Sequence, residues 1–157
     1  MSKAVPVWFL GLAIVIAGCM NMGGKDSGPS QTPGSMNSVC GHKWELRLLR
    51  INGQAVPVDQ PREFTFLCNA GGEAMGKSGL NTYRGTLQIT ANGGLLWDSA
   101  SFASTKMAGP PQLMEQENQY LRALSGTSQA FVKGGGGRLI LRDASGNIYL
   151  EYIKAGL

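Results

Sequence analysis

The residues best suited to chemistry lie between Gly71 and Leu87, in the run GGEAMGKSGLNTYRGTL. Gly71, four residues, then Gly76-Lys77-Ser78 fit G-x-x-x-x-G-K-[ST], the phosphate-binding loop. In such a loop backbone N–H groups cradle phosphates, the lysine meets the outer phosphates and the hydroxyl holds magnesium. The pattern has few fixed positions, and a chain with 23 glycines meets it readily by chance. A working loop must also follow a buried strand and open a helix. After Ser78 come Gly79, Asn81 and Gly85, then Thr86–Thr90, so turn residues lead into a strand. No nucleotide is expected at Gly71–Ser78.

Other catalytic material is sparse. The single histidine, His42, cannot supply a zinc site, which wants several His or Cys ligands. It is also the one base available to a Ser-His-Asp arrangement, and no G-x-S-x-G elbow accompanies it. Glu115 and Glu117, two apart on a predicted helix, point to different faces and are not a carboxylate pair. We expect no catalytic, cofactor-binding or metal-binding residues, and so no enzyme.

The amino terminus says where such a chain works. Lys3 precedes an apolar run, Val5–Ala17, of the length of a signal-peptide core and too short for an ordinary bilayer span. It ends in Ile16-Ala17-Gly18-Cys19, which resembles the bacterial lipobox, in which the cysteine is acylated and becomes the first mature residue. The resemblance implies a signal peptide over 1–18 and lipidation at Cys19. Met20, where an aspartate would retain a Gram-negative lipoprotein at the inner membrane, implies the outer membrane, facing the periplasm. Loss of residues 1–18 takes Lys3 with it and lowers the formal net charge from +4 to +3. The charges are scattered in sequence, with no basic run, and no nucleic-acid partner is expected.

Residues 19–38 are rich in Gly, Ser, Pro and Asn and read as a lipidated flexible tether, with the folded domain at 39–157. Strands are predicted over Trp44–Ile51, Arg62–Cys68, Thr86–Thr90, Leu95–Ala103, Gln129–Lys133, Arg138–Asp143 and Ile148–Ile153. The first slips phase after Leu48, which points to a bulge. Pro110-Pro111 opens the one good helical period, to Leu124, with Gly126 as terminator. The fold expected is α+β and mostly β: a curved antiparallel sheet or partly open barrel of about seven or eight short strands with one helix. Pairing the first two strands so that Cys40 faces Cys68 also sets Trp44 opposite Phe64. That register gathers the aromatics on one face and predicts a Cys40–Cys68 disulfide, which an exported compartment permits; the alternative is two free thiols.

Three segments, in order, resemble the META domain family, the small HslJ-like lipoproteins of bacterial envelopes. The first is Trp44 to Ile51-Asn52-Gly53. The second, Gly76-Lys77-Ser78-Gly79-Leu80-Asn81-Thr82-Tyr83-Arg84-Gly85, is similar to G-x-x-G-C-N-x-[YF]-x-G. The third is Ser104-Thr105-Lys106-Met107-Ala108-Gly109 followed by a helix with Glu115, Tyr120 and Leu124, similar to S-T-[RK]-M-A-C and E-x-x-[YF]-x-x-x-L. Leu80 and Gly109 stand where many members carry cysteines, which implies that the pair normally bonds and that Cys40–Cys68 staples a different edge here. The resemblance implies a compact β-rich domain in envelope stress tolerance or protein binding, and carries over no functional residues. The alternatives are an inhibitor of a secreted lysozyme or protease, with Gly134–Gly137 or Asn69–Gly76 as the plug, and a pilot lipoprotein for a secretion machine.

Overall fold

The computed structural model describes residues 30–156. The expected signal peptide, the lipidation site Cys19 and the tether up to residue 29 lie outside the described residues. Ordered structure begins earlier than composition suggested. β1 (Thr32–Pro33) pairs with a late strand, and the four-residue α1 (Met36–Val39) follows under a capping box made by Ser35 and Ser38. Little apolar surface is needed to order this stretch. The Gly34 N–H donates to Ala130 O at 2.8 Å, and Val39 is fully buried.

β2 (Lys43–Ile51) is the central strand of the first half. Leu48 pairs with Glu151 but Leu46 with Tyr152, so Arg47 is the extra residue of the bulge. The bulge turns Trp44, Leu46 and Leu49 all toward the core despite their uneven spacing. Asn52 and Gly53, both at positive φ, form the tight hairpin turn to β3 (Gln54–Ala55). β4 (Thr65–Cys68) pairs with β2 with Trp44 opposite Phe66, not Phe64, so the expected register is wrong by two residues. A slip of two keeps every side chain on its face, and the core it implies survives. Cys40 reaches Cys68 by another route. It ends α1, the Gly41 N–H donates to Cys68 O, and the two cysteines are disulfide-bonded with Cα atoms 4.6 Å apart.

β5 (Glu73–Lys77) and β6 (Thr82–Ile89) form the next hairpin, and β7 (Leu95–Ser104) follows. β5 lies inside what reads as a glycine-rich turn, because alternation is broken by Gly76. A Cβ at Gly76 would lie 1.9 Å from Thr65 O and 2.7 Å from the Tyr83 hydroxyl, so the strand passes too close for any side chain. α2 (Pro111–Ser125) is capped by Gly126, and β8 (Gln129–Lys133), β9 (Arg138–Arg142) and β10 (Ile148–Lys154) complete the chain.

The ten strands form one antiparallel sheet in the order β1-β8-β9-β10-β2-β4-β5-β6-β7, with β3 beside β2. The count exceeds the expected seven or eight through β1, β3 and β5. The sheet curls until Leu95 N–H donates to Ser128 O and Ala130 N–H to Gly93 O, so its margins meet at one corner. α2 packs on the concave side with Gln116, Glu117, Tyr120, Ala123 and Leu124 buried at helical spacing. Tyr120 sits edge-on to Phe64 and, with Tyr83, donates to Thr65 O, while Tyr152 donates to the Tyr120 hydroxyl at 3.1 Å. Burial pushes the Tyr120 phenol up to about 12 and raises Tyr83 and Tyr152 well above the ordinary value.

Candidate functional site

The residues matching the phosphate-loop pattern are built into the sheet. Gly71 lies at the tip between β4 and β5, where its N–H donates to Asn69 Oδ1. Lys77 ends β5 with its backbone N–H on Thr65 Oγ1 and its ammonium 2.9 Å from Glu63. The N–H groups of Ser78 and Gly79 donate to Asn81 O and Glu63 O. The donors that would cradle a phosphate are thus committed to the protein. Ser78 itself is fully buried, and its hydroxyl lies within reach of Asn81 O and Glu117 Oε1.

That contact leads to the most concentrated polar cluster of the domain. The β5–β6 turn presents Asn81 to the second turn of α2, where Glu117 is 5% exposed. Glu117 Oε1 accepts the Asn81 backbone N–H at 2.7 Å, and Oε2 accepts Asn81 Nδ2 at 2.8 Å. Asn81 Oδ1 in turn accepts Thr105 Oγ1 at 2.8 Å and the Met107 N–H at 2.7 Å. One amide side chain therefore ties the hairpin turn, the segment after β7 and the helix together. Hydrogen bonds to a carboxylate are about twice as strong as neutral ones, and three donors converge on this one. Among the described residues no buried side-chain nitrogen or oxygen lacks a partner, so the cluster's polar atoms are spent internally.

Sequence reading undervalued Glu117. The E-x-x-[YF]-x-x-x-L spacing falls on Glu117, Tyr120 and Leu124, and the assignment to Glu115 is corrected. Glu115 is exposed and pairs with Arg122 and Gln119. A glutamate three before the buried Tyr120 shares its helical face, which is the signal that could have found it. His42 lies apart, edge-on to Trp44 and 3.5 Å from Lys154 Nζ, and among the described residues it makes no ion pair with a carboxylate. Among the described residues no group of three or more His, Cys, Asp or Glu side chains is placed to hold a metal.

Above the cluster lies a cleft of about 290 Å³ lined by Lys106, Met107, Met114, Asn118 and Leu121, with Asn81 and Glu117 at its floor. Its rim holds two exposed thioethers, Met107 at 56% and Met114 at 39%. Flexible, polarizable methionines suit a surface that accepts varied apolar side chains. Next to it, Leu80 and Gly109, the two departures from the family pattern, meet. A Cβ at Gly109 would lie 2.0 Å from Leu80 Cδ1, so the leucine fills the space a side chain at 109 would need.

Comparison with known proteins agrees with this layout. No curated protein sequence matches. A Burkholderia xenovorans protein solved by NMR superposes with a TM-score of 0.67 at 18% identity, over 98% of this chain and 100% of its own. A crystal structure of a DUF4847 family protein from Bacteroides vulgatus gives 0.53 at 13% identity, over 76% and 96%. At such identities these likenesses speak for the fold alone. The family model described as META domain matches residues 37–154, spanning all three resembling segments and the Asn81–Glu117 cluster, and the chain therefore belongs to the META domain family.

Proposed function

We propose that this chain is a non-enzymatic protein of the cell envelope, held by lipid on Cys19, most simply at the outer membrane facing the periplasm, and that it binds another envelope protein through the Met107–Met114 cleft. One observation carries the reading. The buried polar cluster has its hydrogen-bonding capacity used internally, while the rim directly above it exposes methionines. A site built for acid–base work would aim titratable groups outward at a substrate; this one turns them inward and offers apolar contact. The cluster then serves to hold the rim in shape.

The test uses the chain from residue 19 with Cys19→Ser as bait in envelope extract, beside the same chain carrying Met107→Glu and Met114→Glu. The expected result is a partner captured by the first and lost from the second, with unchanged melting. Equal capture by both removes the cleft from the reading. Incorporation of radiolabelled palmitate into the parent chain, absent in Cys19→Ser, tests the anchor separately.

A second reading, inhibition of a secreted hydrolase, is favoured by the β8–β9 connection. Gly134, Gly135 and Gly136 all hold positive φ there, with open space around each. The other plug considered, Asn69–Gly76, offers less free chain, because β5 starts at Glu73 and pairs with β4 and β6. Stoichiometric loss of lysozyme or protease activity on titration with the domain would favour inhibition.

A further inference from the structure

The convex face of the sheet carries charge that the interior does not use. In β9 and β10, Leu139, Leu141, Leu150 and Tyr152 point to the core, so Arg138, Arg142, Tyr149 and Glu151 lie on the other face, with Ile140 buried among them. Register sets Gln129, Arg142, Tyr149 and Arg50 in one row across β8, β9, β10 and β2. The Arg142 guanidinium lies 4.5 Å from the centre of the Phe131 ring, and that of Arg50 lies 5.8 Å from the Tyr149 ring. Arg142 Nε also donates to Gln129 Oε1 at 2.8 Å. The rings and the amide hold these cations against the sheet without neutralising them. Among the described residues, no ion pair involves Arg50, Arg142 or Lys133. Two carboxylates share this face: Glu151, taken up by Arg138 at 3.1 Å and the Tyr149 hydroxyl at 3.1 Å, and Glu45, 3.9 Å from the Lys43 ammonium.

The chain's exit bears on what this face meets. Thr32 pairs with Val132 on β8, antiparallel, so Gln31 comes beside Lys133, at the margin of the same face. Between Cys19 and Thr32 the chain spans at most about 45 Å fully extended. An anchor at Cys19 would therefore keep the basic face within reach of the bilayer surface.

We propose that the outer face of β8, β9, β10 and β2 docks on anionic lipid headgroups, with Arg50, Lys133 and Arg142 as the cations that meet phosphate. The inference rests on the lipid-anchor reading and adds an orientation to it. Guanidinium groups match phosphate oxygens two at a time. A lipid chain and a basic patch together hold a domain flat where the lipid alone leaves it swinging. With the convex face down, the side bearing α2 and the methionine cleft is turned to the aqueous compartment, where a protein partner would be.

The test uses the unacylated chain from residue 19 with Cys19→Ser, so that binding owes nothing to lipid on the protein. It is sedimented with vesicles of phosphatidylcholine alone or with about 30% phosphatidylglycerol. Each cation near such a surface contributes about fivefold, so the triple variant Arg50→Gln, Lys133→Gln, Arg142→Gln should bind anionic vesicles about a hundredfold more weakly. Binding should also fall steeply as salt rises through 0.15 M. Equal binding to both compositions, or no loss in the triple variant at unchanged melting temperature, overturns the proposal. So does binding to heparin with none to vesicles, which would assign the face to a soluble acidic polymer. Should the triple variant melt early, Arg50→Gln and Lys133→Gln singly carry the test, each expected to lose about fivefold. Palmitate labelling without vesicle binding removes the docking and leaves the anchor; vesicle binding without labelling does the reverse.

Discussion

Two corners of this domain secure their chain segments by different means. At one, the four-residue α1 and the end of β4 are joined by the Cys40–Cys68 disulfide. At the other, the β5–β6 turn is held to α2 by the Glu117 carboxylate, and Leu80 lies against the backbone of Gly109. The first corner rests on a single turn of helix with Val39 buried beneath it, the Val39 carbonyl accepting from Trp44 Nε1 at 2.7 Å, and one backbone bond from Gly41 to Cys68. A covalent link adds to that packing. The second has a fifteen-residue helix to lean on, and a carboxylate with several donors suffices. The covalent corner depends on the redox state. The hydrogen-bonded corner is indifferent to reductant and depends on every partner being present.

The largest effect that would break this contrast is at Glu117. Glu117→Ala leaves the Asn81 N–H without an acceptor in a buried site and takes one of two acceptors from the Asn81 amide and the Ser78 hydroxyl, which keep Met107 O and Asn81 O. Unsatisfied buried donors cost about 1–3 kcal/mol each, and the variant should lose about 4 kcal/mol in denaturant unfolding. Glu117→Gln keeps one acceptor oxygen and should lose roughly half as much. A loss below about 1 kcal/mol for the alanine variant would mean that water replaces the carboxylate, and the corner would not be the tight, dry junction described.

The two corners were also unequally legible in the sequence. Short apolar runs closed by polar residues at both ends, such as Arg138–Arg142 and Gln129–Lys133, were read to within a residue. So was α2, punctuated by Pro111 and Gly126. Cysteines announce themselves, so the covalent corner could be proposed even from a register that was two residues off. The hydrogen-bonded corner could not. Glu117 has the composition of a surface residue, and its burial follows only from three distant segments converging on α2. β5 hides because Gly76 removes the side chain that would mark alternation, and the reason for that glycine, Thr65 O and the Tyr83 hydroxyl, lies on other strands. β1 hides because two residues carry no period. In each case the missing information was tertiary.

The next effect in size is the disulfide itself. With 28 residues of sequence separation, loop-closure entropy assigns the bridge about 3.5 kcal/mol. Cys40→Ser with Cys68→Ser, or reduction of the parent, should lower stability by that amount in urea titrations. Combined with Glu117→Ala, the loss should add, since the corners share no partner. A coupling of more than about 0.5 kcal/mol would show that the two corners support each other through the sheet, and the contrast between them would be one of chemistry but not of independent function.

The smallest effect probes what stands in place of a second covalent link. A methyl at Gly109 would lie 2.0 Å from Leu80 Cδ1, which is the end of a flexible side chain and can move aside. Gly109→Ala should therefore lose only about 1–2 kcal/mol. Leu80→Ala removes a half-buried leucine and should lose about 1 kcal/mol. The double variant decides between two accounts. If leucine and glycine fit as a complementary pair, the alanine at 109 occupies space that Leu80 vacates, and the double variant should be more stable than the sum predicts by about 1 kcal/mol. Strict additivity would mean that the contact is incidental and that Glu117 and Asn81 hold the corner alone. Recovery would mean that the apolar pair also closes it, so that this chain meets the demand with shape at one corner and with sulfur at the other.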